Sequence, residues 1–323
     1  MQPVTISLPL PFSTRAVNCY LLEGTPLTLV DPGTDWAETA LELGAALAAR
    51  SLRVEDIEQV VLTHQHYDHV GLAHVVKGLS GATVVGHELL GPFLADLPAS
   101  MEAEDTYQAD VMRLHGVPEP TIQELYETSK EHRRYGGSVE VDRLVRDGDT
   151  LEAGGRTLAV HHRPGHSPTD TIFVDEASRT AIVGDHLIGH ISSNPVTHRP
   201  LSRPADPRDR FLALPAYIDS MQRTAELDLH VLLPGHGNPV EHHRDLVEER
   251  LAFHARRKQR LLDGLGDAPL TAHELALGLW GGVAEREAFL TLSEALGHLD
   301  LLEVEGAVRP VEGDDGLVRY ERG

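Results

Sequence analysis

The sequence predicts a mixed α/β (α+β) chain in which helices cover β-sheets, and three observations predict it. Short apolar runs recur along the first 240 residues, most of them closed by Gly, Pro, Asp or Thr, as strands in a sheet core are. Longer stretches with apolar positions at helical spacing stand between several of these runs. The chain has 323 residues, 41% of them hydrophobic, which is enough to bury a sizeable core.

Taken in order, "AVNCYLLE" (16–23) reads as a buried strand, with Cys19 as a small core residue rather than a reactive thiol. "PLTLV" (26–30) is a strand ended by "DPG". "DWAETALELGAALAAR" (35–50) is an Ala/Leu-rich helix. Further strands are expected at "IEQVVL" (57–62), "ATVVG" (82–86), "RTLAV" (156–160), "TIFV" (171–174), "TAIVG" (180–184) and "HVLL" (230–233). Residues 91–145 break this rhythm with two helical stretches, "EDTYQADVMRLHG" and "EPTIQELYETSKEHRRYGG", separated around Pro118. They read as a helical insertion, either a lid or specificity element or a structural buttress. From about residue 262, "LLDGLGDAP" is linker-like. Thr271 and Glu274 are spaced as a capping box, a second helix runs through "EREAFLTLSEALGHL", and "LLEVE", "GAVRPVE" and "LVRYE" form the last short runs. Helix, helix and hairpin suggest a division into residues 1–262 and a small winged-helix-like unit, 263–323.

The formal net charge is −22, from 50 acidic and 28 basic residues. That favours solubility and argues against a general nucleic-acid or anionic-membrane surface. The tail 264–323 carries four arginines against twelve acidic residues, so a structural or dimerising role suits it better than phosphate contact. The basic run "ARRKQR" (255–260) reads as a solvated helix face. "MQPVTISLPLPFS" lacks a charged leader and a long apolar run, so neither a signal peptide nor a membrane helix is expected. One cysteine forbids an intrachain disulfide, and a cytoplasmic location is expected.

The densest chemistry lies in "THQHYDHV" (63–70), where His64, His66, Asp68 and His69 crowd six positions directly after a strand. Imidazole and carboxylate are ligands for first-row metals, and a strand end holds them rigidly. Three further donors stand at the ends of expected strands: His166 in "HHRPGHSPTD", Asp185 in "GDHL" and His236 in "PGHG". His161 and His162 adjoin the His166 loop, but adjacent strand residues face opposite sides and only one of them could face a metal. His186, His190, Ser192 and Ser193 follow Asp185 on a loop that either lines a pocket or is merely polar. Arg133, Arg134 and Tyr135 read as a solvated helix end before an anion site, and His254 as structural.

The order His-x-His-x-Asp-His, Pro-Gly-His, Gly-Asp, Pro-Gly-His, preceded by "VDPG" (30–33), resembles the metallo-β-lactamase superfamily over about residues 17–240. The resemblance implies a four-layer αββα sandwich with metals at the edge between two sheets. It implies that His64, His66 and His166 hold one cation, that Asp68, His69 and His236 hold a second, and that Asp185 bridges them. Asp31 would support the ligand loop from behind. Two divalent ions are implied, zinc first, with iron or manganese also suited to an all-nitrogen-and-oxygen site. Such a pair, about 3.5–4 Å apart, lowers the pKa of a bridging water and polarises the bond to be cleaved, while Asp68 orients the nucleophile or passes a proton. Asp185 stands where cysteine-containing β-lactamases of the superfamily carry a cysteine, which argues against that activity. The tail is similar to that of the LACTB2-like branch, whose members include an endoribonuclease, and differs from the helical glutathione-binding tail of glyoxalase II. The expected activity is hydrolysis of an ester or thioester, with phosphodiester cleavage and lactone opening as alternatives. The expected partner is a small-molecule substrate, with a homodimer possible and nucleic acid or membrane disfavoured.

Overall fold

The structure is a computed structural model and describes residues 2–12 and 16–323. Met1 and Ser13 of the N-terminal stretch considered above lie outside the described residues. Two sheets form the frame. The first runs in the order β1 (Val4–Pro9), β2 (Ala16–Leu22), β3 (Thr28–Val30), β4 (Gln59–Val61), β5 (Thr83–His87) and β6 (Arg143–Val145). Its first three strands pair antiparallel and β3 to β6 pair parallel. The second contains β7 (Thr150–Ala153), β8 (Arg156–His162), β9 (Thr171–Asp175), β10 (Thr180–Gly184) and β11 (Val231–Pro234), in the order β11-β10-β9-β8-β7. Only its β10/β11 pair is parallel.

The β-branched and aromatic runs explain the layering. Val30, Val61 and Val85 of the first sheet meet Val160, Phe173 and Ile182 of the second in one buried cluster, so the sheets pack face to face. The outer face of the first sheet is covered by helices. Ala37–Ala48 is one of them, burying Thr39, Leu43 and Leu47 four residues apart on one stripe. The outer face of the second sheet is covered by Ala213–Ala225 and by His243–Gly264, through residues such as Leu214, Tyr217 and Val247. This is the αββα sandwich.

Expected strands appear within one or two residues of their predicted limits. Strands β1, β6 and β7 were not expected. The first alternates exposed and buried positions at a sheet edge, and the other two span only three and four residues. Residues 91–145 form the helices Leu97–Leu114 and Glu119–His132, but the last three of them are β6, part of the sheet itself. The tail contains β12 (Leu270–Thr271), the helices Ala272–Trp280, Gly282–Arg286 and Ala288–Val304, then β13 (Val308–Glu312) and β14 (Val318–Arg322), with sheet order β12-β14-β13. It shares a core with the insertion: Tyr107, Met112 and Ile122 are buried with Leu261, Leu296 and Tyr320.

Candidate metal centre

The carboxyl ends of β3, β4, β8, β10 and β11 meet at one edge of the sandwich, and each delivers donors there. Asp31 follows β3, with φ of 52°, a left-handed conformation that turns the chain sharply after "LV". Its Oδ1 accepts from the Thr63 N–H at 2.9 Å, and its Oδ2 accepts from the Thr63 hydroxyl at 2.6 Å and from His69 Nδ1 at 2.8 Å. The Thr63 oxygen lies 3.0 Å from His64 Nδ1. Strand β2 clamps the last loop. Asn18 Nδ2 donates to the carbonyls of Pro234 and Gly237, each at 2.9 Å, and the Tyr20 hydroxyl donates to Pro234 O at 2.6 Å. His236 Nδ1 then donates to Ala16 O at 2.7 Å, and His166 Nδ1 to Asn194 O at 3.0 Å.

These bonds set the tautomers. With Nδ1–H engaged, His64, His69, His166 and His236 each turn a free Nε2 lone pair inward. His66 is the reverse: its Nε2 lies 3.4 Å from His198 Nε2, which leaves Nδ1 inward. His64 Nε2 and His166 Nε2 each stand 3.0 Å from His66 Nδ1. Asp68 Oδ2 stands 3.3 Å from His236 Nε2 and 3.8 Å from His69 Nε2. Asp185 reaches both groups, 3.4 Å from His69 Nε2, 3.4 Å from His236 Nε2 and 3.6 Å from His166 Nε2. The donor atoms within each triplet, His64/His66/His166 and Asp68/His69/His236, all lie within 4.8 Å of one another. All seven expected ligand residues therefore converge on one spot.

The residues fit divalent cations. His69 Nε2 and Asp185 Oδ1 are buried without a hydrogen-bond partner, an expensive arrangement unless a cation completes it. Burial, with His69 and then His66 nearby, pushes the His64 imidazole far below its ordinary range, so it is a neutral ligand. Burial, then His166 and His198, does the same to His66. At His69, burial works downward, yet Asp185, Asp68 and Asp31 outweigh it and raise the group strongly. At His236 burial is likewise overcome, chiefly by Asp185, to about 10. Both rises come from the carboxylates around the site, the negative charge that a divalent cation there would balance. Burial opposes ionisation of Asp185, but His69 and then His236 hold it well below the usual carboxylate range. Gly235 is required by space: a Cβ there would lie 2.3 Å from Asp185 Oδ1 and 2.6 Å from His69 Cε1.

Several other polar residues serve the frame instead. His162 stacks on His87 with centroids 4.0 Å apart and contacts Pro168 O at 2.9 Å through Nε2, outside both triplets. His186 meets Thr224 Oγ1 at 2.9 Å, and Ser193 Oγ holds the Asp185 carbonyl. Arg133 is paired with Asp105 at 2.6 Å, and Arg134 lies over the Tyr135 ring. His254 lies 3.3 Å from His298, and these two with Glu294 form a buried polar contact in which Glu294 is paired with Arg257. In the basic run, Arg257 stacks on Phe253 and Lys258 pairs with Glu305. Sequence reasoning missed one pair beside the candidate metal donors. His198 Nδ1 donates to Glu104 Oε1 at 3.0 Å while its other nitrogen meets His66, joining the insertion to a ligand across 94 residues. Neither residue sits in a motif, so no local signal existed.

Beside the donors opens a cavity of about 440 Å³ that reaches His66, Asp68 and His198 at one side and the insertion helices at the other. No helix among the described residues is long and apolar enough to cross a membrane.

The profile of the metallo-beta-lactamase superfamily matches residues 13–236. The chain is similar to "Probable metallo-hydrolase YqjP" of Bacillus subtilis (strain 168), with 32% identity over 311 residues, 94% of this chain and 93% of that protein. It is 22% identical over 255 residues to the "Atrochrysone carboxyl ACP thioesterase" of Aspergillus fumigatus, 79% of this chain and 45% of that protein. Among solved structures, the metallo-beta-lactamase family protein TTHA1429 from Thermus thermophilus superposes with a TM-score of 0.82 at 31% identity, covering 99% of this chain and 98% of that one.

Proposed function

The chain belongs to the metallo-beta-lactamase superfamily and is a metallo-hydrolase; from that premise we propose that it cleaves an ester or thioester at a site holding two divalent cations, zinc before iron or manganese. The observation that carries this reading is the position of Asp185, in reach of His69, His166 and His236 at once, between two triplets of buried donors. His64, His66 and His166 would hold one cation, Asp68, His69 and His236 the other, and Asp185 both. The cations would supply an activated water and a Lewis acid for the carbonyl.

The chain's own groups do the rest. Asp31 and Thr63 fix the His69 and His64 rings. Asp68, on the first turn of the short helix Tyr67–Val70, has a side chain 19% exposed and lines the cavity, where its carboxylate can orient the nucleophile and pass a proton to the departing oxygen or sulfur. Its acidity suits that role. Burial raises it, but His69 and His236 bring it below its ordinary value, so it enters the reaction ionised.

Acyl transfer to water is favoured over phosphodiester cleavage by the cavity wall, which contains no Lys or Arg among the described residues to meet a phosphate backbone. A thioesterase among the relatives supports the thioester form. The tail's helix–helix–hairpin with sheet order β12-β14-β13 supports a winged-helix-like unit and a place in the LACTB2-like branch. Twelve of the seventeen residues of its longest helix are buried, so that helix is a structural rod rather than a groove reader. A lone cysteine favours the cytoplasm.

The test is a screen of metal-replete protein on acyl thioesters, lactones and a short single-stranded RNA, with Asp68→Asn as control. Acyl turnover that falls at least a hundredfold in the control is the expected result. RNA cleavage lost in the same control, without acyl turnover, would replace this reading with the phosphodiesterase one.

A further inference from the structure

The cavity beside the metal donors is built mostly by segments outside the ligand motifs. Phe93, Met101 and Met112 form one side, Leu125 comes from the second insertion helix, and Phe289 and Leu290 come from the first turn of Ala288–Val304. At about 440 Å³ it has the size of a site for a small organic molecule. Three of its four acidic members are already engaged within the protein, and the fourth, Glu287, is exposed. Glu104 accepts from His198 and from the Arg199 N–H, each at 3.0 Å, and Asp105 accepts from Arg133 at 2.6 and 2.9 Å. Asp68 belongs to the metal triplet. No Lys or Arg lines the space among the described residues, so away from the metal donors a carboxylate or phosphate would meet acidic lining residues with no Lys or Arg to balance it. Met101 and Met112 give the wall an adaptable apolar surface.

We infer that this cavity is the acyl pocket and that the substrates are thioesters or esters of uncharged, apolar carboxylic acids, with the helical insertion as the specificity element. The inference rests on the ester and thioester reading above. A thioester carrier is polar, so the portion that gains by leaving water for this space is the acyl chain. The chemistry balances as hydrolysis. The water oxygen bonds to the acyl carbon, the acyl–sulfur or acyl–oxygen bond breaks, and the leaving group departs with the second proton, beside Asp68 and outside the apolar space.

The experiment is kcat/KM on straight-chain acyl thioesters of N-acetylcysteamine from acetyl to decanoyl, with ω-carboxylated chains of matched length and acetate esters of long alcohols. Wild-type protein is run beside Met101→Trp and Leu125→Trp, two partly buried wall positions. In the wild type, kcat/KM should climb about fourfold per added methylene until the cavity is filled. The ω-carboxylated chains should be at least tenfold slower than their neutral counterparts. In the two Trp variants the decanoyl-to-acetyl ratio should fall toward one. A flat wild-type series overturns the inference and leaves the hydrolase reading standing. A series that follows the alcohol chain does the same, as do unchanged ratios in both variants with wild-type circular dichroism. If no acyl compound turns over, the hydrolase reading is the one that fails. Calorimetry with the non-hydrolysable decyl ketone analogue of the thioester then judges the pocket alone: binding that both Trp variants weaken at least tenfold upholds it, and no binding overturns it.

Discussion

At the scale of single residues, the seven expected donors were legible because their spacing is local. His64, His66, Asp68 and His69 share one turn after β4, and His166, Asp185 and His236 each follow a strand end marked by Gly or Pro. Their mutual distances came only from the fold, which carries Asp185 to within 3.6 Å of histidines from three different loops. An aspartate serving both triplets predicts a specific defect. Asp185→Asn should lower bound metal at both positions, read as metal per chain by elemental analysis, because the amide loses the charge both sites share. Unchanged metal content would refute the bridging role. What the motifs could not show is the support behind the ligands. Glu104 and His198, 94 residues apart, bear together on His66, and the Ala16 and Asn194 carbonyls orient His236 and His166, contacts without any sequence signature.

Among the elements, helix Ala37–Ala48 and the strands of the two sheet cores were readable because burial periodicity matches the repeat of each element. Edge strands β6 and β7 were not, since three or four residues carry too little pattern. The loop 186–212 is likewise silent in sequence, yet it is tied down by a buried ion pair. Arg210 contacts Asp300 of the C-terminal helix at 2.6 and 3.1 Å, with side chains only 9% and 2% exposed. Burial pushes the Asp300 carboxyl up, and the Arg210 guanidinium opposes it. Arg210→Met therefore strands a buried carboxyl and should cost about 3–5 kcal/mol in urea unfolding. Adding Asp300→Leu should recover most of that loss; a double variant no better than the single would show that the pair does not act as a unit.

For the molecule as a whole, buried neutral histidines make stability depend on acidity away from the metals. His115 has both ring nitrogens without partners, and burial, reinforced by Arg210, lowers it to about 3. Burial, then His298, lowers His254 to about 3 as well. In the unfolded chain such imidazoles titrate near about 6.5. Below that value the unfolded state binds more protons, so stability is full above about pH 6.5 and is lost as the pH falls toward 3. Urea midpoints should decline as the pH falls below about 6.5. His115→Phe should remove about 1.4 kcal/mol per pH unit of that decline between pH 6 and 4. An identical slope in the variant would mean that His115 gains water or a proton in the native state. The same whole-molecule view explains the shared core of insertion and tail: neither segment buries its apolar face alone, and Tyr107, Met112 and Leu296 close it together.

By itself the sequence determined the family, the αββα class and the candidate metal donors, because each is carried by local spacing and by motif order along the chain. Only the tertiary structure decided which side chains orient the ligands, and that the insertion and the tail enclose an apolar cavity beside them. Those are properties of surfaces assembled from segments distant in the chain, whose composition is ordinary until folding brings their buried faces into contact.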